Sequence, residues 1–355
     1  MAVRVYLKQA WNLMKQNPLF STLYIVGTGI SIVMTMVIAI VYYVRLAPVY
    51  PETNRMRTLV VKSAKMTNDE STHSANISYA MLKDWFYSLE SAEVSTGVSG
   101  TSYARVTNDK EEIPTYARYT DENFFRVFPL VFLEGKPFTE ADRRSGIHNV
   151  VLTDSYAQQL FGTTKGVVGK NFLMDYTNVK VVGVVKSGSF LTPDSYAQVY
   201  LPYSCRDGYD DEGSHWALGG YRVYILMKES KSVTDVQDEV LELVRKFNVS
   251  DMGDGWKLDL VGQPELYWHS TFRLWSNVAV DWGRVIWMFV GIFMALLFVP
   301  AFNLSGMISA RMERQLPDLG IRKAFGASRR RLLVQIIWEN LLLTGLGTLL
   351  GLVIA

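Results

Sequence analysis

Three long runs with almost no charged residues dominate the hydrophobic pattern of the chain. Residues 16–44 and 285–310 contain no charged side chain, and residues 332–355 contain only Glu339. A helix needs about 20 apolar residues to cross the core of a bilayer. Buried helices of a soluble protein are the alternative, but such helices normally keep a polar face. The pattern therefore predicts three transmembrane helices, at 19–47, 284–310 and 332–355.

The distribution of charge predicts how these helices are oriented. Three cations and no acid precede the first run, and the segment 311–331 holds seven cations against Glu313 and Asp318. An excess of Lys and Arg in short loops marks the cytoplasmic side of a membrane. The N-terminus and segment 311–331 are therefore expected in the cytoplasm, with residues 48–283 on the opposite side. Residues 1–18 form either a basic amphipathic helix on the inner leaflet or an extension of the first span.

Residues 48–283 alternate between strand-like and helix-like patterns. Strands are predicted for MRTLVVKSA, NVKVVGVVKS, AQVYLP and YRVYILMKES, and HNVVLTDSYAQQLFG reads as a strand followed by a helix. A helix is predicted for SYAMLKDWFYSLE, and another for residues 232–248, with Val236, Val240, Leu243, Val244 and Phe247 at helical spacing. Because the strands and helices follow no strict βαβ repeat, the expected fold is a large α+β extracytoplasmic domain inserted between the first and second helical spans.

The sequence offers no sign of catalytic chemistry, of a metal site or of a cofactor. Nucleophile-elbow, zinc-protease, paired-cysteine and dinucleotide-binding motifs are all absent. The stretch GTTKGVVGKN departs from a phosphate-binding loop because Thr164 and Asn171 occupy positions that the motif gives to Gly and Ser/Thr. Four scattered histidines lack ligand spacing, and the single cysteine, Cys205, excludes an intramolecular disulfide. The chain is therefore not expected to be an enzyme.

The segment PDLGIRKAFGASRRR, residues 317–331, has the start and stop signals of a short helix. Pro317 suits a first helical turn, Asp318 complements the positive end of the helix dipole, and Gly326 is a typical stop. Ser328 can cap the helix that follows. The arginines at 329–331 then favour lipid headgroups or an acidic partner. An ordinary positively charged cytoplasmic loop remains the alternative.

Small and polar residues inside the apolar runs predict contacts between helices. Gly347 and Gly351 form a G-x-x-x-G step, and Gly27 with Ser31 forms a similar small-residue step, both of which allow close approach. Such contacts could join two chains or pack helices within one chain. Asn303 and Glu339 are the intramembrane polar residues singled out, since such groups usually face a partner or a pathway.

The C-terminal part of the chain resembles the FtsX-like permease domain of ABC transporters. The resemblance rests on an Arg, an acid and a G-I-x-K-A-x-G-A pattern, followed by an early Glu and a glycine-rich end; the matching residues are Arg311, Glu313, Asp318, Gly320, Ile321, Lys323, Ala324, Gly326, Ala327, Glu339, Gly347 and Gly351. The portion between the first two spans resembles the MacB-type periplasmic core domain through ENFFRVFPLVFLEGKPFTEAD, VVLTDSYAQQLFG, VGKNF and VKVVGVVKS, in that order.

This resemblance implies a mechanotransmission subunit of an inner-membrane ABC transporter, with its main domain in the periplasm. A separate cytoplasmic ABC-type ATPase would bind the coupling helix, through Pro317, Asp318, Gly320, Ile321, Arg322, Lys323, Phe325 and Gly326. Further implied partners are a second permease copy or a homologous permease, and a periplasmic adaptor. Export of a peptide, drug or lipoprotein is the expected task. The alternative is an FtsX-like regulator that activates a periplasmic cell-wall hydrolase. The family has a fourth span, which these 355 residues do not contain.

Overall fold

The computed structural model describes residues 11, 15, 18–100, 102–107, 112–210, 216–250, 255–296, 298, 317, 320, 321, 324 and 328–354. The chain divides into two compact units. The helical unit comprises Met1–Tyr43 and Trp282–Ala355, and the αβ unit comprises Val44–Asp281. Each unit has its own internal packing, and each is described separately below.

The α-helices are α1 (Pro18–Leu46), α2 (Tyr79–Asp84), α3 (Phe124–Val127), α4 (Glu140–Arg144), α5 (Asp154–Phe161), α6 (Val233–Val249), α7 (Trp282–Leu296) and α8 (Arg329–Ile354). The strands are β1 (Thr58–Val61), β2 (Ala64–Thr67), β3 (Thr72–Ile77), β4 (Ala92–Ser99), β5 (Ser102–Thr107), β6 (Glu112–Thr120), β7 (Phe132–Gly135), β8 (Asn149–Thr153), β9 (Asn171–Met174), β10 (Thr177–Val185), β11 (Val199–Pro202), β12 (Leu218–Gly219), β13 (Tyr221–Met227), β14 (Lys257–Asp259) and β15 (Glu265–Leu266).

The strands of the αβ unit form one continuous, mostly antiparallel sheet. Its main path runs β11–β8–β10–β9–β5–β6–β4–β13–β3–β2–β14, and β1 pairs with both β13 and β15. A further parallel pairing joins β11 to β6 and so closes β5, β6 and β8–β11 into a ring of six strands. Two strand pairs in this ring, β8 with β10 and β6 with β11, are parallel. The mixture of helices and antiparallel strands confirms the α+β prediction.

Three clusters of buried apolar side chains form the core of the αβ unit. One lies between α2, α6 and the strands β1–β3 and β13. A second contains the aromatic residues Phe124, Phe125, Phe128, Tyr200 and Tyr224. The third lies inside the six-stranded ring, with valines of β8 and β10 against α5. The closed ring buries its interior in a separate cluster, so this part of the unit is not merely an extension of the open sheet.

Local sequence signals account for the helix ends in this unit. Ser232 and Asp235 form a reciprocal capping box at the start of α6. Four of the five residues predicted for its apolar face are fully buried, and the fifth, Leu243, packs partly against the same core. Gly162 ends α5 in the left-handed conformation, with φ of +70°. The strand and helix patterns predicted at 148–162 and 232–248 are thus confirmed.

Among the described residues, two helices are long and apolar enough to cross a membrane by length and composition: their apolar parts are Ser21–Leu46 of α1 and Ile336–Ile354 of α8. Many of their large apolar side chains are exposed. The described part of the second predicted span, α7, is shorter. α8 begins at Arg329, three residues before the expected start at 332, directly after Ser328. Within the N-terminal segment 1–18, residues 1–10, 12–14, 16 and 17 lie outside the described residues.

Candidate functional site

Two connectors lead into and out of the αβ unit, and they lie side by side. The first connector, residues 44–57, joins α1 to β1, and the second, residues 267–281, joins β15 to α7. β1 and β15 pair antiparallel, and the amide of Tyr267 donates to the carbonyl of Thr58 at 2.8 Å. The two connectors therefore adjoin strands that are hydrogen-bonded to each other.

A buried ion pair fixes the first connector. Arg55 and Glu52 form a close salt bridge, with side chains only 3% and 0% exposed. Arg55 also donates from Nη1 to the carbonyl of Val44 at 2.8 Å and lies 5.1 Å from the ring centre of Tyr267, which belongs to the other connector. Ser195 Oγ donates to Glu52 Oε1 at 2.7 Å. The last turn of α1 is thereby tied to the αβ unit through one arginine.

A second buried pair fixes the second connector. Arg273 forms a close salt bridge with Glu265, and the two side chains are 3% and 8% exposed. The remaining guanidinium donors reach the carbonyls of Val278 at 2.6 Å and Val261 at 2.9 Å. Burial raises the pKa of Glu265, and the neighbouring Arg273 opposes that rise. We name the Glu52–Arg55 and Glu265–Arg273 pairs the connector pairs.

A third group of buried charges lies beside the connectors, centred on Asp194. Lys62 Nζ approaches Asp194 Oδ2 at 3.2 Å, and Arg222 Nη1 approaches Oδ1 at 3.1 Å. Arg118 is fully buried nearby and donates from Nη2 to the carbonyl of Pro193 at 2.7 Å. Burial acts to raise the pKa of Asp194, but Lys62, Arg222 and Arg118 outweigh it and hold that pKa well below its ordinary value.

Buried ion pairs with several additional hydrogen bonds restrict geometry more than they add stability, because desolvation opposes their Coulomb attraction. Here they restrict the two segments by which the chain enters and leaves the αβ unit. Sequence reasoning missed these residues. The Glu52–Arg55 spacing of three, just after an apolar run, was the one local signal. No local signal marks Glu265 and Arg273 as a pair, since eight residues separate them along an irregular segment.

In the helical unit, α1 and α8 meet through small residues. A Cβ built on Gly347 would lie 2.7 Å from Thr28 Cβ and 2.9 Å from the carbonyl oxygen of Ile25. A Cβ on Gly351 would lie 2.9 Å from the carbonyl oxygen of Gly29. The backbones therefore approach at positions where no larger side chain fits. Gly347 and Gly351, predicted as packing residues, lie at this contact within one chain.

The other predicted small-residue step, Gly27 with Ser31, lies on α1. Gly29, rather than Gly27, faces Gly347 and Gly351. Ser31 Oγ donates to the carbonyl of Gly27 at 3.0 Å, within the same helix. Ser31 also lines a groove of about 300 Å³ between α1 and α7. The two positions thus point away from the α1–α8 contact, and their use in joining two chains stays a prediction.

One interhelical hydrogen bond accompanies the glycine contact. The hydroxyls of Tyr24 and Thr344 lie 2.9 Å apart, and Tyr24 is buried. Thr348 satisfies its own hydroxyl by donating to the carbonyl of Thr344 at 2.8 Å. Tyr24, Thr344 and Thr348 are thus engaged with each other or with backbone, whereas the buried hydroxyl of Thr28, at the same contact, has no partner among the described residues. The backbone of Glu339 belongs to α8, but its side chain lies outside the described residues, as does Asn303.

The predicted coupling helix is described at only part of its length. Pro317, Gly320, Ile321 and Ala324 have helical backbone, and Ile321 is exposed. The remaining predicted coupling residues, Asp318, Arg322, Lys323, Phe325 and Gly326, lie outside the described residues. Helical backbone at these four positions agrees with a helix in this segment, and its predicted start at Pro317 stays a prediction because residues 299–316 lie outside the described residues.

Within the part of the chain that the structure describes, no three His, Cys, Asp or Glu side chains converge in a way that could hold a metal ion. Cys205 is a free thiol whose pKa burial raises to about 12, which makes it a poor nucleophile. Burial lowers the pKa of His269.

Two family models match successive parts of the chain. The model described as MacB-like periplasmic core domain matches residues 20–243, and the one described as FtsX-like permease C-terminal matches residues 287–355. A macrolide export ATP-binding/permease protein MacB of Bdellovibrio bacteriovorus is 23% identical over 61% of this chain. A pyoverdine export ATP-binding/permease protein PvdT of Pseudomonas entomophila is 25% identical over 64%. The chain spans about a third of each relative's length, 32% and 33% respectively.

An uncharacterized ABC transporter permease YvrN of Bacillus subtilis is 22% identical over 65% of this chain and 54% of that protein. Among solved structures, the periplasmic region of MacB from Actinobacillus actinomycetemcomitans matches with a TM-score of 0.40 and 16% identity. That match covers 56% of this chain and 88% of the solved chain.

Proposed function

The chain belongs to the MacB-like periplasmic core domain family of ABC transporter permeases, and we propose that it is a mechanotransmission subunit of such a transporter. In this proposal a separate cytoplasmic ATPase moves the apolar helices, and the connectors carry that motion to the αβ unit. The observation that carries the proposal is the pairing of the two connectors. Both ends of the αβ unit are held by buried arginine–carboxylate pairs and are hydrogen-bonded to each other through β1 and β15.

The rigidity of the connectors supports this mechanism. Arg55 binds the carbonyl of Val44 in the last turn of α1, so a shift of that turn pulls on a buried guanidinium rather than on a free loop. Arg273 similarly holds Val278, three residues before the end of the αβ unit at Asp281. Segments held by buried charges move as rigid parts, since breaking one pair leaves an uncompensated charge. A displacement of the helices therefore reaches the sheet.

Membrane placement follows the charge distribution of the sequence. We place the chain in the inner membrane as a multi-pass protein, with the N-terminus and residues 311–331 in the cytoplasm and the αβ unit in the periplasm. The exposed apolar side chains of α1 and α8 support this placement, because such surfaces are rarely left in water. Reporter fusions at Ser328 and Asp211 should act on opposite sides of the membrane; activity on one side only would contradict the placement.

The partners follow from the family and from the helix surfaces. The MacB and PvdT relatives are export ATP-binding/permease proteins, whereas the residues here match permease family models. A second permease copy would complete a pair of permeases around two ATPases, with Gly27 and Ser31 available for contact. Disulfide crosslinking of cysteines placed singly along α1 tests this association, and an absence of crosslinks at every position would count against it. Export of a substrate through the periplasm is the task we propose.

Substitutions in the predicted coupling helix test the proposed contact with the ATPase. Phe325 is an aromatic residue of the kind that dominates protein interfaces, and truncating such an anchor typically costs about 2 kcal/mol, or roughly thirtyfold in affinity. We expect Phe325→Ala and Gly326→Pro each to reduce both the amount of ABC-type ATPase that co-purifies from native membranes and its stimulated hydrolysis. Phe190→Ala, which truncates an exposed phenylalanine of the αβ unit, serves as the matched control.

The proposal fails if no ATPase accompanies the wild-type chain, or if both coupling variants retain full recovery and full stimulation. Activation of a periplasmic hydrolase by the purified chain, with no export defect on deletion, would favour the regulator function instead.

A further inference from the structure

A half-open cavity of about 230 Å³ lies in the αβ unit next to the first connector. Arg45, Arg55, Lys62 and Arg222 line it, together with Asp194 and the ring of Tyr267. All of these residues belong to the αβ unit. The cavity is therefore formed within one compact part of the molecule, by the connector pair and the Asp194 group already described.

The wall of this cavity carries an excess of positive charge. Four cations and one carboxylate line it, and that carboxylate is shared by Lys62 and Arg222. The second carboxylate nearby, Glu52, is occupied by Arg55 and Ser195. Among the described residues, no ion pair joins Arg45 to a carboxylate. The fixed cations of a concave, partly desolvated site attract an anion more strongly than they would on an open surface.

Three exposed apolar side chains lie close in the sequence to residues that line the cavity. Phe190 and Trp275 are 74% and 67% exposed, and Leu274 between Thr271 and Trp275 is 61% exposed. In the sequence, Phe190 directly precedes Leu191, and Leu274 and Trp275 follow shortly after Thr271. Leu191 and Thr271 line the cavity. Arg45 itself follows 27 residues of α1 without a charge. Exposed aromatic and aliphatic side chains beside cations, directly after an apolar helix, are typical of a surface at the boundary between lipid and water.

We propose that this cavity binds the phosphate group of an anionic phospholipid of the surrounding membrane, with Arg45 and Lys62 as principal ligands and with Phe190 and Trp275 against the lipid. The inference rests on the membrane placement proposed above. Arginine and lysine are the usual ligands of phosphate, through charge-assisted hydrogen bonds. Because the cavity wall includes the connector pair, a bound headgroup would brace the segment that joins α1 to the sheet.

The test uses the full chain in detergent with three probes: dioctanoyl phosphatidylglycerol, dioctanoyl phosphatidylcholine and inorganic phosphate. We expect phosphatidylglycerol to bind at least about tenfold more tightly than phosphatidylcholine, as measured by native mass spectrometry. Arg45→Gln should weaken that binding about tenfold, since one charge-assisted hydrogen bond is lost. Arg245→Gln is the matched control, because Arg245 is a 72% exposed arginine of α6 that lies outside the cavity. Millimolar phosphate should compete with the lipid.

Three results would overturn the proposal. One is equal binding of the two lipids with no effect of Arg45→Gln. Another is binding of phosphate without any retained lipid, which would assign the cavity to a free anion. The third is equal weakening by Arg245→Gln, which would indicate general surface attraction. A second variant, Lys62→Gln, accepted only if its thermal unfolding remains cooperative, must also weaken binding. Because co-purification of the ATPase plays no part in these measurements, failure here leaves the proposed coupling function untouched.

Discussion

The helical unit and the αβ unit solve the same problem, that of holding distant chain segments together, by opposite means. α1 and α8 meet through glycines and one hydroxyl pair, with backbone against backbone. The connectors of the αβ unit are held by buried arginine–carboxylate pairs and a surrounding sheet. The van der Waals attraction between small residues falls off steeply with distance, and separating them leaves no buried charge unpaired. Separating a buried ion pair does leave such a charge, so it costs more free energy. The first kind of contact permits helices to slide, and the second keeps the connectors rigid.

Under the proposed function, this contrast predicts where motion would occur in the chain. Helices that pack through small residues can shift relative to one another at little cost, because few side chains interlock. In the proposed mechanism the connectors would carry that shift, since each is fixed on the sheet. The two kinds of contact should therefore respond differently to substitution, and the following experiments separate them in order of expected effect.

The largest effect is expected from breaking a connector pair on one side only. Glu52→Gln leaves the buried Arg55 without a counter-charge, and removing one partner of a buried pair typically costs about 3–5 kcal/mol. We expect faster hydrogen exchange of β1 and β15 amides in the full chain. Replacing both residues, as Glu52→Leu with Arg55→Met, should recover much of the loss. Glu242→Gln, whose partner Arg245 is exposed, should change little. Equal exchange in all three variants would show that the pair has no such role.

A smaller effect is expected at the helix contact. Gly347→Val places its Cβ 2.7 Å from Thr28 Cβ, and overpacking of this kind typically costs about 1–3 kcal/mol. Gly345→Ala in the same helix is the matched control, because a Cβ there meets nothing within 4 Å. The control should be neutral or slightly stabilising, since alanine favours helix by up to about 1 kcal/mol over glycine. The measurement is the protease sensitivity of α8 in the membrane. Identical sensitivity of the two variants would contradict the close contact.

Much of this architecture could be predicted from the sequence, and the reason differs between the two units. Apolar runs and helical spacing are local, so α1, α8 and the buried face of α6 were predicted. The G-x-x-x-G step of α8 was predicted, but its partner on α1 was not, because a repeat in one helix does not say which residue of another helix faces it. In the structure Gly29 lies against both glycines.

The contacts made by the connector pairs could not be predicted from local sequence. Arg55 and Tyr267 meet although 212 residues separate them in the chain, and only the closure of β1 against β15 brings them together. The polar strand β3 was also missed, because its residues are mostly exposed and carry no apolar alternation. Long-range pairing depends on the register of the whole sheet, which composition and spacing do not encode locally.

The smallest expected effect is a pH dependence of stability that should be present in the αβ unit and absent from the α1–α8 contact. Asp194 keeps its pKa well below the ordinary value of about 3.9, because Lys62, Arg222 and Arg118 outweigh its burial. Below about pH 4 the Asp194 carboxylate takes up a proton in the unfolded chain but not in the native chain. The free energy of unfolding therefore falls with the pH, by at most about 1.4 kcal/mol per pH unit. The described contacts between α1 and α8 involve glycines, hydroxyls and apolar atoms, so exchange protection at Tyr24 and Thr344 should not follow that curve.

Asp194→Asn provides the decisive comparison for this prediction. The variant should be less stable than the wild type at neutral pH, and the difference between the two should shrink as the pH falls from about 4. Hydrogen exchange of Lys62, Arg222 and their strand neighbours in the full chain, followed between pH 3 and pH 7 with correction for intrinsic rates, measures that difference. Asp238→Asn is a suitable control, since Asp238 is an exposed carboxylate of α6 and takes no part in the Asp194 group: no ion pair joins it to a cation among the described residues. A constant difference between wild type and Asp194→Asn across this range would mean that the buried cations do not stabilise the charged carboxylate. The charges of the αβ unit would then hold its connectors by packing and hydrogen bonds alone, much as the glycines hold α1 against α8.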